Sequence, residues 1–439
     1  MNRRAAASGL AIVLLAACLR LVNLDYCEFK SDEASNAFAA RTVIATGNPA
    51  AASVPTSIGG VMPPLFNLLL VLPFTLSPSP VFATQLVALA NTAAVGLLFV
   101  LALRWFGLRT AIIAGLLFAV NPWSVLYARK IWHQDLVAPL AVMVGWFLFR
   151  VVIDRKAAAL VPLAGLLALV PQFHATAWGL TLTAALALAT GAGRVPARYW
   201  TGAAVLFAGV AALPWLLDPI GSTANLRALR AYATHPWLFD REAFLAPLRL
   251  ATGVGFGLSP TMVLPGIAQF LLAVGLFVLV AVRCHRPENR ILLCWLAGPV
   301  AIGLTSRITP PHHYFLALLP VLPLLLAVGL TESGRETGGG RGALRQWTAG
   351  TVAAALVIAQ LWLSGTFFVR DLPRATIIAR MDYGRPLAVR VAAVRAALAD
   401  GERDPVVIHQ RLQLALPGVG PDELRTTAYL VQWLGAGSE

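Results

Sequence analysis

Apolar residues in this chain come in long runs, each closed by proline, glycine or a charge, and neither strict alternation nor a short amphipathic period dominates. The runs fall near residues 7–23, 82–103, 110–127, 136–150, 157–171, 176–192, 200–217, 261–282, 291–305, 314–331 and 348–369. A helix needs about 20 mainly apolar residues to cross a hydrocarbon layer roughly 30 Å thick, and lipid leaves no partner for an unpaired backbone. The pattern therefore predicts an all-α polytopic membrane protein with about eleven spanning helices. The apolar segment from Pro64 to Leu76 is short and interrupted by Pro63, Pro64 and Pro73, which suits a helix lying in the interface.

Composition strengthens this picture. Of 439 residues, 58% are hydrophobic and only 12% charged, against about 25% charged in soluble domains; the mean hydropathy is +0.74. The net charge of +14 would suggest nucleic acid in a soluble protein. Here the basic residues sit at the ends of apolar runs and in the last seventy or so residues, with no aromatic-interleaved basic stripe, so no nucleic-acid partner is expected. Cys18, Cys27, Cys284 and Cys294 show neither a disulfide framework nor zinc-ligand spacing. Cys18 imitates a lipoprotein signal, but the apolar run continues through Leu19, Leu21 and Val22, as an uncleaved first span would.

Charge also orients the chain. With the 64–76 segment not crossing, alternate connections carry Arg3 and Arg4; Arg104 and Arg109; Arg150, Arg155 and Lys156; Arg194 and Arg198; Arg283, Arg286 and Arg290; and Arg335, Arg341 and Arg345. The positive-inside rule makes that side the cytoplasm of a multi-pass inner-membrane protein with a cytoplasmic N-terminus. The opposite side then holds a first outer loop at 23–80 with interfacial helices, the connections around 129–135, 171–174 and 306–313, a loop at 218–260, and an extracytoplasmic region at 370–439. That last region carries a helical stripe (Leu387, Val391, Val394, Leu398) and then the β-type run Pro405, Val406, Val407 and Ile408, which predicts a small α/β tail domain. No Walker A motif or dinucleotide fingerprint occurs, so any chemistry is external and uses no nucleotide directly.

Carboxylates are scarce, so their positions carry information. Asp32 and Glu33 follow the first span, where Ser31 or Asp32 could simply cap a helix. Asp135 stands at the lip of the fourth run and could equally be a cap. Both nevertheless fall at one membrane depth, the second beside Arg129, Lys130 and His133, and cations on the non-cytoplasmic side need a reason.

An Asp-Glu pair in the first outer loop, the Pro63-Pro64-Leu65 segment after it, a further acid in the next outer loop and a late Tyr314-Phe315-Leu316-Ala317-Leu318-Leu319-Pro320 span start together resemble the GT-C glycosyltransferases. The similarity is to the branch containing protein O-mannosyltransferases and the lipid A aminoarabinose transferase, and it covers roughly residues 8–370, within a transmembrane catalytic module at 1–369. The resemblance implies transfer of a sugar from a polyprenyl-phosphate donor in the bilayer to a lipid glycan, polysaccharide or protein acceptor, with inversion at the sugar. It implies Asp32 as general base, with Glu33 and Asp135 completing the cleft by binding or orienting the acceptor. Helical neighbours point about 100° apart, so Glu33 does not share the role of Asp32. Arg129, Lys130, His133, Arg307, His312, His313 and Tyr314 are the candidate substrate residues, the cations among them for the phosphate. The family often has Arg before the tyrosine where this chain has His313, which makes Arg307 the better cation of that turn. His174 reads as a structural polar residue. A divalent cation between Asp32 and Asp135 suits carboxylate chemistry, but the branch using monophosphate donors has no general need of one, so no metal or other cofactor is expected.

The competing reading is a secondary transporter or a flippase for lipids or lipid-linked sugars. Transporters usually place ionisable groups or broken helices at the midplane, often in matched halves; here the acids gather at the outer rim, and no repeat is visible.

Overall fold

The computed structural model describes residues 3–56, 59–191, 193, 195–256, 263–332, 340–372, 386–416 and 423–435. The chain opens with α1 (Arg3–Leu21), then α2 (Ser31–Thr46), a two-residue antiparallel pair of β1 (Val54–Pro55) with β2 (Val61–Met62), and α3 (Leu65–Leu76). There follow α4 (Pro80–Phe106), α5 (Leu108–Val120), α6 (Pro122–Leu126), α7 (Val137–Val152), α8 (Leu160–Leu169), α9 (Trp178–Gly191) and α10 (Ala197–Leu217). The second half holds α11 (Pro219–Thr234), α12 (Glu242–Thr252), α13 (Val263–Ala281), α14 (Pro287–Leu304), α15 (Val321–Glu332) and α16 (Gly340–Gly365). Three further helices, α17 (Leu387–Ala399), α18 (Pro405–Ala415) and α19 (Leu424–Gly435), complete it.

Each of the eleven apolar runs coincides with helical structure. Among the described residues five helices are long and apolar enough to cross a membrane, or six when the bent pair His312–Leu318 and Val321–Thr331 counts as one, and the chain is a multi-pass membrane protein. The segment with the internal prolines is the 12-residue α3, too short to cross unaided.

Helices pack where side chains are small. α9 meets α14 so closely that a Cβ on Gly179 would lie 2.5 Å from the Pro299 Cα, and one on Gly298 would overlap the Gly179 carbonyl. Small residues give interhelical van der Waals contact in lipid, where no hydrophobic force drives association. α5 and α15 pack on each other and are deeply enclosed, rich in buried Ala, Leu and Val, whereas α1 buries only one side, against α4 and α5.

The connections segregate to two ends. At one, Asp154 accepts from Arg104 (2.7 Å), Arg150 (3.0 Å) and the Trp105 ring N–H (3.1 Å). Burial raises its carboxyl pKa, but the Arg104 and Trp105 hydrogen bonds, the Arg104 charge and the Arg150 hydrogen bond together outweigh this and hold it below the usual range. Arg155 and Arg290 at that same end reach the Gly191 and Thr190 carbonyls. Arg335 lies outside the described residues, as do the side chains of Arg341 and Arg345.

The expected β run at 405–408 is instead the first turn of α18. Asp404 accepts the Val406 N–H at 2.8 Å and Pro405 occupies the first helical position, a helix-start signal stronger than three β-branched residues. Among the described residues the C-terminal region is helical apart from an isolated bridge between Pro386 and Glu28, so the small α/β tail is corrected to a helical one.

Candidate functional site

The site lies at the other end of the bundle, built first on how α1 stops. Arg20 in its last turn is buried and donates to the Phe118 and Ala119 carbonyls and to Ser124 Oγ (2.7 Å). Arg129 reaches back to the carbonyls of Leu19 (3.1 Å), Val22 (2.8 Å) and Asn23 (2.6 Å). A guanidinium suits this task, since a helix end leaves carbonyls without partners. Arg129, expected on a substrate phosphate, is thus occupied by backbone.

Around this end gather two acidic turns of the same design. α2 is capped by Lys30, not by Ser31 or Asp32, and Glu33 three residues on takes the Lys30 N–H on Oε2 at 3.0 Å. Ahead of α7, Asp135 takes the Trp132 N–H on Oδ2 at 3.3 Å. Both acids face the positive end of a short helical turn. The turns are tied together by Asn36, whose amide donates to the Ile131 carbonyl at 2.9 Å, while Asn91 of α4 donates to the Asp135 carbonyl at 2.9 Å.

Glu28 joins them. Its carboxylate is closed to solvent and holds Lys30 Nζ at 3.0 Å and Lys130 Nζ at 2.8 Å. Lys130 is also buried, over the faces of Trp132 (4.2 Å) and Tyr127 (5.1 Å), and Glu28 with cation–π attraction compensates its lost hydration. Burial lowers the Lys130 pKa, but Glu28, Asp135 and Glu33 more than reverse that and raise it. Burial, then the Glu28 charge, push Glu33 up to about 7, with Lys130 and Lys30 pulling the other way. Asp32, beside it, is exposed.

Several polar atoms here are buried without a hydrogen-bond partner among the described residues, including Glu33 Oε1, Asp135 Oδ1, Gln134 Oε1, His133 Nδ1 and the indole nitrogens of Trp123 and Trp132. Such orphans are rare in finished cores. Several of them gather around the two acidic turns, where they leave hydrogen-bonding capacity unused by the described residues. Among the described residues no three His, Cys, Asp or Glu side chains are grouped to hold a metal ion.

Aromatic rings wall the site. His312 stacks on Trp123 (4.8 Å between centroids) and His313 meets Trp132 edge-on at 4.8 Å. His174 lies 6.2 Å from both His133 and His313 and 5.1 Å from Tyr314, with its Nδ1 bonded to Thr176 at 2.6 Å. The 129–135, 171–174 and 306–313 connections therefore meet. Arg307 stands apart, its guanidinium over Trp237 at 5.8 Å and its N–H on Tyr232. Glu28 went unnoticed in the sequence because only the fold brings Lys130 to it; its place two residues before Lys30 was the available signal.

The fold and the site define a multi-pass α-helical membrane protein with a carboxylate-rich, aromatic-walled site at one end of its helices. That architecture is the GT-C fold, shared with ArnT from Cupriavidus metallidurans: bound to undecaprenyl phosphate it matches with a TM-score of 0.51, 17% identity and 97% of this chain against 76% of that one. In its apo state the figures are 0.54, 18%, 98% and 77%. An oligosaccharyltransferase of Archaeoglobus fulgidus, in complex with Zn and sulfate, matches with a TM-score of 0.52 and 15% identity over 81% of this chain and 52% of that one. No family model matches the chain, and no curated protein matches it.

Proposed function

We propose that the protein is an inverting glycosyltransferase that moves a hexosyl or pentosyl group from a polyprenyl-phosphate donor to an acceptor at the outer face of the cytoplasmic membrane. In that step the acceptor O–H attacks the anomeric carbon and the bond from that carbon to the phosphate oxygen breaks. The proton passes to Asp32, and the polyprenyl phosphate leaves with the electron pair. A phosphate monoester is a weak base, so the leaving group needs cations more than an acid.

The observation that carries this reading is the pairing of one exposed acid, Asp32, with a buried set of Glu33, Glu28, Lys130 and Asp135 and the half-buried Lys30 at a single end of a GT-C bundle. Asp32 is the member open to an incoming acceptor. Glu33 and Asp135, each with one oxygen unpartnered, suit hydroxyls of the sugar or acceptor. With Arg129 spent on α1, Lys130 sealed against Glu28 and Arg307 apart over Trp237, His312 and His313 are the phosphate contacts of the wall, with Tyr314 and His133 beside them. The ArnT bound to undecaprenyl phosphate supports a donor of that lipid class here. The sidedness set out by the charged connections, with eleven crossings and the N-terminus in the cytoplasm, belongs to the same proposal.

The test is incubation of the purified protein with defined polyprenyl-phosphate sugars and candidate acceptors, scoring free lipid phosphate and glycosylated product. Asp32→Asn should cut turnover by about 100-fold or more with little change in donor binding. Full turnover in that variant removes the base assignment; donor bound and moved across a bilayer without cleavage favours a flippase.

A further inference from the structure

The C-terminal helices are not an appendage beside the bundle. Leu387 donates its N–H to the Cys27 carbonyl at 2.9 Å, and Pro386 bridges Glu28 as an added extended segment. Glu28 is the carboxylate that gathers Lys30 and Lys130, so the backbone holding it in place is paired to the start of α17. A second attachment comes from α19. The Tyr429 ring packs against Phe29 (5.4 Å), Phe38 (5.2 Å) and Phe74 (6.3 Å), and its hydroxyl donates to the Pro78 carbonyl at 2.8 Å. Phe29 immediately precedes the Lys30 cap and Phe38 lies on α2, so one buried ring braces both ends of the acidic turn. The helices are themselves clamped by the buried Arg390–Glu423 ion pair.

We propose that this helical region is a positioning element of the acidic site, with Tyr429 as its positioning residue and the Leu387–Cys27 hydrogen bond as its second tie. The proposal rests on the glycosyl-transfer reading for its effect on rate, but not for its effect on structure. Untied, the 27–33 segment would lose the geometry that sets Glu28 against Lys130 and Asp32 toward the acceptor. A displacement of about 1 Å in such a group costs on the order of 100-fold in rate.

Cys27 supplies a readout independent of substrate, because its thiol is closed to solvent in the docked state. The full-length protein, purified in detergent with Cys18, Cys284 and Cys294 changed to Ser, is exposed to a maleimide while turnover of a polyprenyl-phosphate sugar is followed in parallel. Tyr429→Ala should raise the Cys27 labelling rate about tenfold or more by local opening and should lower kcat more than it raises KM for the acceptor. Tyr429→Phe keeps the ring contacts and should restore both. Leu387→Pro removes the N–H given to Cys27 together with part of a buried side chain, at a first helical position where proline is well tolerated, and should raise labelling severalfold in a protein that still folds. Protected Cys27 in both Tyr429→Ala and Leu387→Pro, or raised labelling with undiminished turnover, overturns the proposal. If the unaltered protein transfers no sugar, the enzymatic reading fails, whereas the labelling still decides whether these helices hold the loop.

Discussion

Lys130 Nζ lies 2.8 Å from Glu28 Oε2, and both side chains are sealed from solvent although the residues are 102 positions apart. Two buried charges of opposite sign stabilise little as a pair, but taking Glu28 away leaves Lys130 buried without its counter-charge, at a cost of about 3–5 kcal/mol, whereas taking Lys130 away leaves Glu28 with Lys30. Glu28→Gln and Lys130→Met should each lower the thermal midpoint in detergent markedly. The double variant should cost less than the two single losses combined, because only the half-exposed Lys30 then loses its Glu28 partner. Additive losses would mean that Glu28 and Lys130 are not coupled.

Glu33 gives the site a pH dependence of definite sign. Its folded-state pKa is about 7 against 4.5 for the free group, raised first by burial and then by the Glu28 charge. Between those two values the folded protein binds a proton that the unfolded chain releases. Stability is therefore greatest below about pH 4.5 as far as this group is concerned, and falls as pH rises through 7, by about 3 kcal/mol at most. Glu33→Gln should flatten that part of the stability curve and leave the variant more stable than the parent at pH 8. A parent whose midpoint rises steadily from pH 5 to pH 8 with the same slope in the variant would count against a protonated Glu33.

How much of this was legible beforehand depends on whether a feature is local or needs the fold. The apolar helices could be read, because a membrane forces apolar length onto the chain, whereas the meeting of the 129–135, 171–174 and 306–313 connections needs the fold. The two acidic turns were visible too, as each acid precedes a helical run within a few residues. The contacts of Arg129 are not legible because nothing near it in the chain says that the last carbonyls of α1 lie beside it. Glu28, Arg20 and Tyr429 went unseen for the same reason, their partners being 98 to 351 residues away. The 405–408 run failed differently: three β-branched residues were weighed above Asp404 and Pro405, whose capping geometry is local and decisive.

Arg129 and Lys are not interchangeable at the end of α1. The guanidinium spans three carbonyls with two nitrogens, whereas an ammonium cannot reach all three in that geometry. Arg129→Lys should destabilise by about 2 kcal/mol, in the range of lost hydrogen bonds to a charged group. Donor affinity should be unchanged once the protein is held well below its unfolding temperature. A selective loss of binding to polyprenyl phosphate at full stability would return Arg129 to the phosphate.

The approach of α9 to α14 leaves no room for a side chain at Gly179, where a Cβ would lie 2.5 Å from the Pro299 Cα. Backbone atoms cannot yield as a flexible side chain can, so Gly179→Val must separate the helices, at a cost of about 1–3 kcal/mol or more. Since α14 also places Trp295, whose ring donates to the Ala317 carbonyl at 3.0 Å just after the His312–Tyr314 wall, the damage should reach the site. Monodisperse yield should fall, and the surviving protein should bind donor less tightly. An unaffected Gly179→Val would mean that α9 and α14 pack less closely than described.

Glu33 Oε1 and Asp135 Oδ1 are the two carboxylate oxygens of the site that are buried without a hydrogen-bond partner among the described residues, while the second oxygen of each is fixed by a backbone N–H. An orphaned buried acceptor costs about 1–3 kcal/mol, a penalty that a bound hydroxyl would remove. A ligand that binds only the folded state stabilises it by an amount that grows with its concentration above Kd. A polyprenyl-phosphate sugar should therefore raise the thermal midpoint of the parent protein more than the bare polyprenyl phosphate does. In Asp135→Asn the amide oxygen can still accept from Trp132 while the NH2 takes the place of the orphan acceptor. The sugar-dependent part of the shift should shrink, and the lipid-dependent part should remain. Equal shifts for the two lipids in the parent would show that these oxygens do not meet the sugar, and would move the carbohydrate contact to the aromatic wall around Trp132 and His313.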